Sequence, residues 1–193
     1  MKRILAFLVL GLLLGSCSDK LTSSKAEKLI QESLGKEPIY GDIQIQIGDN
    51  IEFFGYTVKE ELESYRKLKE EGMIEMNERK NEYRRATVYS IHLTDKGKQY
   101  LLKEEKYNER VFVTIKTYSA IFNGIEEVHL IPEQNSARVL VSFKIEKTPF
   151  FILENLENQE TLKDDSVRRV LKFRKLEEKG WKVNNINNYD IEH

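Results

Sequence analysis

The stretch Val139-Leu140-Val141-Ser142-Phe143-Lys144-Ile145-Glu146 carries the clearest structural pattern of the chain. Large apolar residues occupy every odd position, whereas three of the four even positions are polar. Because successive side chains of a strand point to opposite faces, this alternation predicts a strand with one buried face. A strand over Val167–Leu176, a turn at Glu177–Gly180 and a returning strand from Trp181 predict a hairpin downstream. The C-terminal region is therefore expected to form an antiparallel sheet, with Trp181 in its core or, alternatively, as a platform on which a ligand stacks.

The region before residue 107 combines helical and strand patterns. Apolar residues at helical spacing over Lys25–Leu34 predict an amphipathic helix, capped by a hydroxyl side chain within Thr22–Ser24. The alternation of Ile43, Ile45 and Ile47 with polar residues predicts a half-buried strand. A second helix is expected from Thr57 to Glu71, where Gly72 ends it. This mixture indicates the α+β class.

Residues 57–105 follow an order that resembles the winged-helix family. A helix ending in Gly72 leads into a strand, a polar turn at 77–85 and a second strand at 87–93. The motif Leu-Thr-x-x-Gly-x-x-x-Leu then begins at Leu93, and the resemblance implies a further helix over Thr94–Leu102. The final pair of strands, with Gly180-Trp181-Lys182-Val183, is similar to the terminal hairpin of small envelope domains that have a curved, cystatin-like or nuclear-transport-factor-2-like sheet. The predicted organisation is a winged-helix-like module at 25–107 and an antiparallel α+β module at 108–193.

The N-terminus has the layout of an export signal ending in the only cysteine, Cys17. A basic start precedes an apolar run over 4–14, which is too short for a spanning helix of about 20 residues. The sequence Leu14-Gly15-Ser16-Cys17 resembles the lipobox of bacterial lipoproteins. This resemblance implies that residues 1–16 are removed and that Cys17 is acylated. Residues 17–24 would then form a lipidated tether that anchors the chain to a membrane of the bacterial cell envelope. The folded part of the chain would face the periplasm or the cell surface. A free thiol, an intermolecular disulfide and a buried structural cysteine remain the alternatives.

The charge balance argues against a nucleic-acid partner. The chain has 31 Lys and Arg against 32 Asp and Glu, and neither half is basic. The helix that would read DNA carries more acids than bases, so it would repel phosphate. The basic residues of the polar turn, Arg79, Lys80, Arg84 and Arg85, are interrupted by Glu78 and Glu82. We therefore expect the first module to be structural or to bind protein.

Residues that could support catalysis or metal binding are scattered. His92, His129 and His193 lack the spacing of metal ligands, and no nucleophile motif or glycine-rich phosphate loop is present. The adjacent acids, Glu126-Glu127, Asp164-Asp165 and Glu177-Glu178, are expected to be solvated. No cofactor is expected. Two functions remain open: a lipid-anchored protein that binds or scaffolds an envelope protein or glycan without catalysis, and an envelope hydrolase with a noncanonical active site.

Replacing Cys17 with alanine tests the lipid anchor. The acyl chains hold a lipoprotein on a membrane almost irreversibly, because each buried methylene contributes about 0.8 kcal/mol. We expect Cys17→Ala to release the protein from the membrane fraction when cells are fractionated. A variant that stays as firmly bound as the parent would contradict the anchor.

Overall fold

The computed structural model describes residues 20–54, 58–81, 86–184 and 190–191. Cys17, Thr57, Arg84, Arg85 and His193 lie outside this part of the chain, so the predictions made for them stay predictions. The described residues form an α+β fold, as expected. The helices are α1 (Ser23–Leu34), α2 (Val58–Glu70), α3 (Asp95–Lys98) and α4 (Leu156–Thr161), with 3-10 turns at Pro132–Gln134 and Pro149–Leu153. The strands are β1 (Ile39–Ile51), β2 (Ile74–Asn81), β3 (Ala86–Leu93), β4 (Leu101–Tyr107), β5 (Arg110–Ile131), β6 (Ser136–Lys147), β7 (Ser166–Leu176), β8 (Gly180–Val183) and β9 (Asp190–Ile191).

The helix ends confirm the predicted capping. The side chain of Thr22 accepts a hydrogen bond of 3.3 Å from the backbone N–H of Lys25, so Thr22 is the N-cap of α1. Gly72 follows α2 with a φ of +72°, a left-handed conformation that suits glycine. The carbonyl of Gly72 then accepts the hydroxyl of Thr94 at 2.7 Å, which fixes the start of α3 against the end of α2.

The described strands form one antiparallel sheet in the order β2-β3-β1-β5-β6-β7-β8, with β4 added beside β5 and β9 beside β7. Strand β5 is its centre. It pairs with β1 along one edge and, along the other, first with β4 as far as Ile115 and then with β6 from Tyr118. Strand β5 is thus one continuous strand of 22 residues, which is long enough to pair with three neighbours.

Strand β1 changes partners along its length. Residues Ile39–Ile47 pair with β5, whereas Gly48 and Ile51 pair with β3. The backbone bends between these pairings, where Gly48 has a φ of +109° and Asn50 a φ of +59°. Gly48 can take this conformation because it has no Cβ. The bend carries the chain from the long sheet to the β2–β3 hairpin.

The hydrophobic core has two clusters. The first lies between α1 and one face of β6, β7 and β8, and it includes Trp181, which is 8% exposed. The burial of Trp181 confirms the prediction that it packs in the core. The second cluster joins α2, β2 and β3 to parts of β1 and β5 and to Phe150. Each cluster takes residues from both sides of residue 107. The division into two modules at that point stays a prediction.

The helix expected over Thr94–Leu102 is wrong beyond Lys98. Residues Leu101–Tyr107 form β4, which pairs with β5 across a turn where Asn108 has a φ of +55°. The sequence Leu-Leu-Lys-Glu-Glu-Lys favours a helix locally, but pairing with β5 overrides that preference. With only four residues in α3, the structure supports the α+β class and does not confirm the winged-helix assignment.

Replacing Gly97 with alanine should destabilise the fold. A Cβ at this position would lie 2.1 Å from the backbone carbonyl oxygen of Met73, which cannot turn away as a side chain could. We expect the free energy of unfolding to fall by about 1–3 kcal/mol, as for overpacked cores, measured by urea denaturation.

Gly35→Ala is the matched control. Gly35 has a helical φ of −64°, and an added Cβ would lie no closer than 3.4 Å to its neighbours. Alanine there should leave stability unchanged or raise it by about 0.4–1 kcal/mol. Equal stability of the Gly97→Ala protein and the parent would contradict the close contact with Met73.

Candidate functional site

An open groove of about 850 Å³ lies between α2 and the segment 152–159. Its floor is formed by β1 and by the residues that follow it, as far as Phe53. The volume lies within the range of about 300–1,000 Å³ that is usual for ligand sites in proteins. It is a concavity of the described residues that is large enough to hold a ligand, and we take it as the candidate site.

The floor of the groove combines apolar residues with three polar ones, Gln44, Gln46 and Glu52. Ile45 and Ile51 are buried, and Phe53 is half-buried. The Phe53 ring makes edge-to-face contacts with two aromatic rings, Tyr65 at 5.2 Å and Tyr89 at 5.3 Å between centroids. Such contacts fix the ring orientation. The apolar part of the floor, with Phe53 as its half-buried member, is therefore held firmly in place.

The walls of the groove are acidic. The walls contain four glutamates and one lysine, namely Glu60, Glu61, Glu63, Glu154 and Lys67, and the floor adds Glu52. Two of these acids, Glu60 and Glu61, belong to the first turn of α2, where negative side chains are favoured by the helix dipole. At neutral pH the groove is a region of negative potential over an apolar floor.

The surroundings alter the ionisation of two groups in the groove. Partial loss of solvent raises the pKa of the Glu61 carboxyl above its ordinary value of 4.5. Burial, reinforced by the charge of Glu61, raises the pKa of the Tyr65 hydroxyl far above its ordinary value. Tyr65 is therefore neutral over the physiological range. The ionised form of Glu61 is disfavoured, and a nearby cation would favour it again.

A network of hydrogen bonds holds the second wall in place. Near Thr117, the strand that pairs with β5 changes from β4 to β6. The carbonyl of Thr117 accepts two hydrogen bonds from Thr148, one from its backbone N–H at 2.8 Å and one from its hydroxyl at 3.0 Å. The buried hydroxyl of Thr117 donates to the Glu154 carboxylate at 2.5 Å, and the side-chain amide of Asn158 donates to the same carboxylate at 2.8 Å. Gln159 donates to the Glu154 carbonyl at 2.7 Å. We refer to residues 148–159 as the strap.

The exposed site residues considered from the sequence do not converge on the groove. His129 is exposed on β5, opposite Arg138. His92 lies on β3, 3.5 Å from Asp49 and 3.1 Å from Ser90. Both contacts involve the same ring nitrogen, Nε2, whereas a catalytic triad needs the serine and the acid on different nitrogens. Hydrogen bonds from Ser90 and then from His92 lower the pKa of the Asp49 carboxyl.

The paired acids are exposed, as expected. Glu126 contacts Arg168 at 3.1 Å and Asp165 contacts Lys147 at 2.5 Å, so these two carboxylates are partners of surface cations. The turn predicted at 77–85 is wrong for residues 77–81, which belong to β2 because they pair with β3. Arg79 of β2 donates to the side-chain oxygen of Asn50 at 2.6 Å, which ties β2 to the bend of β1. Arg79 therefore has a structural contact.

Neither a metal site nor a membrane span is found in the part of the chain that the structure describes. Within residues 20–54, 58–81, 86–184 and 190–191, no group of three or more His, Cys, Asp or Glu is arranged to hold a metal ion. None of the helices described is long and apolar enough to cross a membrane. Comparison with protein families, with curated proteins and with solved structures finds no match to this chain.

The groove is not predicted by the sequence because three separate segments form it. Each segment has a local explanation: β1 alternates like any half-buried strand, α2 is an acidic amphipathic helix, and 152–159 follows Pro149 as a polar connection. The one available signal is the concentration of glutamate at the start of α2. From the sequence, that signal serves only as evidence against DNA binding.

Replacing Thr117 with valine should loosen the strap. Valine keeps the shape of threonine but removes the donor to Glu154, and hydrogen bonds to charged groups contribute about 1.5–3 kcal/mol. We expect a loss of that size in the free energy of unfolding and faster amide hydrogen exchange over 149–161. Thr114→Val on the same strand, outside this network, should change stability by less than about 0.5 kcal/mol. Equal effects of the two substitutions would contradict the role of Thr117.

Proposed function

We propose that this protein is a lipid-anchored binding protein of the bacterial cell envelope whose groove holds a basic and apolar segment of a partner protein. The observation that carries the proposal is the combination of acidic walls and an apolar floor in one concavity. In this proposal Cys17 attaches the chain to the membrane, and the groove captures the partner.

Charge complementarity favours a cationic ligand. Complementary potentials speed encounter and reject partners of the wrong sign. An anionic ligand would meet the carboxylates of Glu60, Glu61 and Glu63, whereas Lys or Arg would find partners there. Because the pKa of Glu61 is raised in the free protein, a bound cation would restore ionisation of its carboxyl.

Apolar contacts favour a peptide over a glycan. Leu156, at the rim of the groove, is 80% exposed, and Phe53 forms part of the floor. Burying a large apolar side chain of a partner against these residues contributes about 1.5–3 kcal/mol. The aromatic rings of Tyr65 and Tyr89 are buried, so they do not offer the open faces on which sugars stack.

The acidic wall belongs to the unit that resembles a winged helix. Helix α2, the β2–β3 hairpin and α3 follow the order expected of that family, and we include a winged-helix-like module for protein binding in the proposal. Its helix α2 would contact the partner through glutamates, which agrees with the expectation that the chain does not bind nucleic acid.

The proposal is non-catalytic. Of the groove carboxylates, Glu154 is held by Thr117 and Asn158 and maintains the strap. Glu63 lies 3.9 Å from Arg66 on the surface of α2. Glu154 therefore has a structural role, and Glu63 belongs to the charged wall.

A cationic model peptide tests the groove. The probe is acetyl-Leu-Lys-Leu-Lys-Leu-Lys-amide, and its two controls replace every lysine with glutamate or every leucine with serine. Titration calorimetry should detect binding of the probe and much weaker binding of both controls. Glu60→Gln with Glu61→Gln should reduce affinity about tenfold, which corresponds to ~1.4 kcal/mol. The same change at Glu70 and Glu71, at the other end of α2, should leave affinity unchanged.

The pH dependence gives an independent measurement. The raised pKa of Glu61 means that the free groove holds a proton at a pH where an ordinary glutamate has lost it. A bound lysine lowers that pKa, so binding releases a proton and affinity increases as the pH rises through the raised value. Calorimetry over a pH series that begins at 4.5, the ordinary value for glutamate, in two buffers of different ionisation enthalpy measures the release. Affinity that is independent of pH, or preference for an envelope glycan fragment, would contradict a cationic peptide ligand.

A further inference from the structure

Strand β1 has one edge along which no strand pairs over most of its length. Residues 39–47 pair with β5 along the other edge, and pairing with β3 begins only at Gly48. Among the described residues, no further strand pairs with residues 39–46. In an antiparallel pair only alternate residues bond to the neighbour, so every second residue here directs its N–H and C=O away from β5. We call this side of residues 39–46 the open edge.

The groove follows the open edge rather than one face of the sheet. Its lining includes four consecutive residues of β1, namely Ile43, Gln44, Ile45 and Gln46. Successive side chains of a strand point to opposite faces, so a concavity above one face is lined by alternate residues. Ile43 and Ile45 face the second core cluster, whereas Gln44 is exposed. A concavity that contacts both sets lies beside the strand, where the open edge is.

The open edge lacks the features that usually protect an exposed strand. Natural sheets discourage pairing with another chain by placing lysine, proline or bulges on their edges. Residues 39–46 contain neither lysine nor proline, and their one charged side chain, Asp42, is opposite Lys116 of β5. The pairing with β5 is irregular only between Gly41 and Asp42. Residues 42–46 are therefore a regular backbone template beside the groove.

We propose that the partner segment binds as an extended strand added to residues 42–46 of β1. Strand addition rests on the proposed function, since it is the conformation in which a basic and apolar segment would occupy the groove. Main-chain hydrogen bonds supply the affinity in this mode of recognition, and side-chain contacts supply the specificity. The added strand would lie about 4.8 Å from β1. A helix bonds to its own backbone and would leave the open edge without partners.

Charge favours a basic segment over a second copy of this chain at the open edge. The lining that the structure describes holds five glutamates against one lysine, Lys67. A second copy paired along β1 would bring another acidic α2 to the same groove, and the two sets of glutamates would repel each other. A basic segment would instead complement the charge already present.

Amide hydrogen exchange, measured by NMR, tests the open edge directly. The protein is residues 17–193 with Cys17→Ser, which contains every described helix and strand. In the free protein, the amides of residues 42–46 should alternate between slow exchange, where they bond to β5, and fast exchange at the open edge. The probe acetyl-Leu-Lys-Leu-Lys-Leu-Lys-amide, at roughly ten times its dissociation constant, should slow the fast set about tenfold. Slow exchange of all these amides in the free protein would overturn the proposal.

Two methylated peptides separate strand addition from other binding in the groove. One carries N-methyl groups on its leucines and the other on its lysines, so side chains and charge match those of the probe. An added strand directs only alternate N–H groups to its neighbour. One methylated peptide should therefore bind about tenfold more weakly than the probe or worse, and the other within roughly threefold of it.

The results distinguish a failure of strand addition from a failure of the proposed function. If neither the probe nor a methylated peptide binds, the proposed function fails and strand addition fails with it. If the probe binds and the two methylated peptides have equal affinities, the groove holds a cationic peptide in another conformation, and only strand addition is overturned. Concentration-dependent dimers in which the fast amides of 42–46 become slow would also overturn it, since a second copy would then occupy the open edge.

Discussion

The backbone hydrogen bonds along the two edges of β5 are the interaction on which the rest of this structure depends. One edge is occupied by β1, and the other is divided between β4 and β6. At the change between these partners, the carbonyls of Lys116 and Thr117 accept Thr148, which begins the strap. Buried carbonyls need partners, so the change of strand creates the point at which the strap attaches. The second wall of the groove is thus a consequence of sheet topology.

Local patterns predict the elements whose surroundings agree with their intrinsic preference. The alternation in β6, the cap at Thr22 and the stop at Gly72 are as expected, because burial, capping and backbone conformation all act locally there. Residues 101–107 favour a helix, and residues 123–124 have the composition of a turn. Both segments nevertheless lie in strands, since pairing with β5 and β6 satisfies their backbone groups. Gly124, with a φ of +146°, absorbs an irregularity within β5.

The candidate site is less accessible to prediction than the fold, and the reason is physical. A strand or a helix produces a periodic pattern of apolar residues within one segment of the sequence. A groove produces no such pattern, because it depends on how separate segments pack against one another. Ile45, Glu61 and Leu156 face one concavity only because β1 bends at Gly48 and the strap returns from β5. The histidines His92 and His129, candidates by residue type, lie on strand surfaces instead. Of the chemical features, only the acidity of α2 is visible in the sequence.

The total charge of the chain is nearly balanced, but acidic side chains collect in one region and basic side chains in another. The placement of both regions follows from the periodicity of the helix and of the strands. The period of a helix gathers the glutamates of α2 beside the groove, whereas the period of two in β6 and β7 gathers Arg138 and Arg174 on the solvent face. In the groove the arrangement is not the most favourable one for an isolated protein, because desolvation raises the pKa of the Glu61 carboxyl. The groove therefore has a favourable interaction to gain from a cationic partner. That property is the strongest physical argument for a binding role.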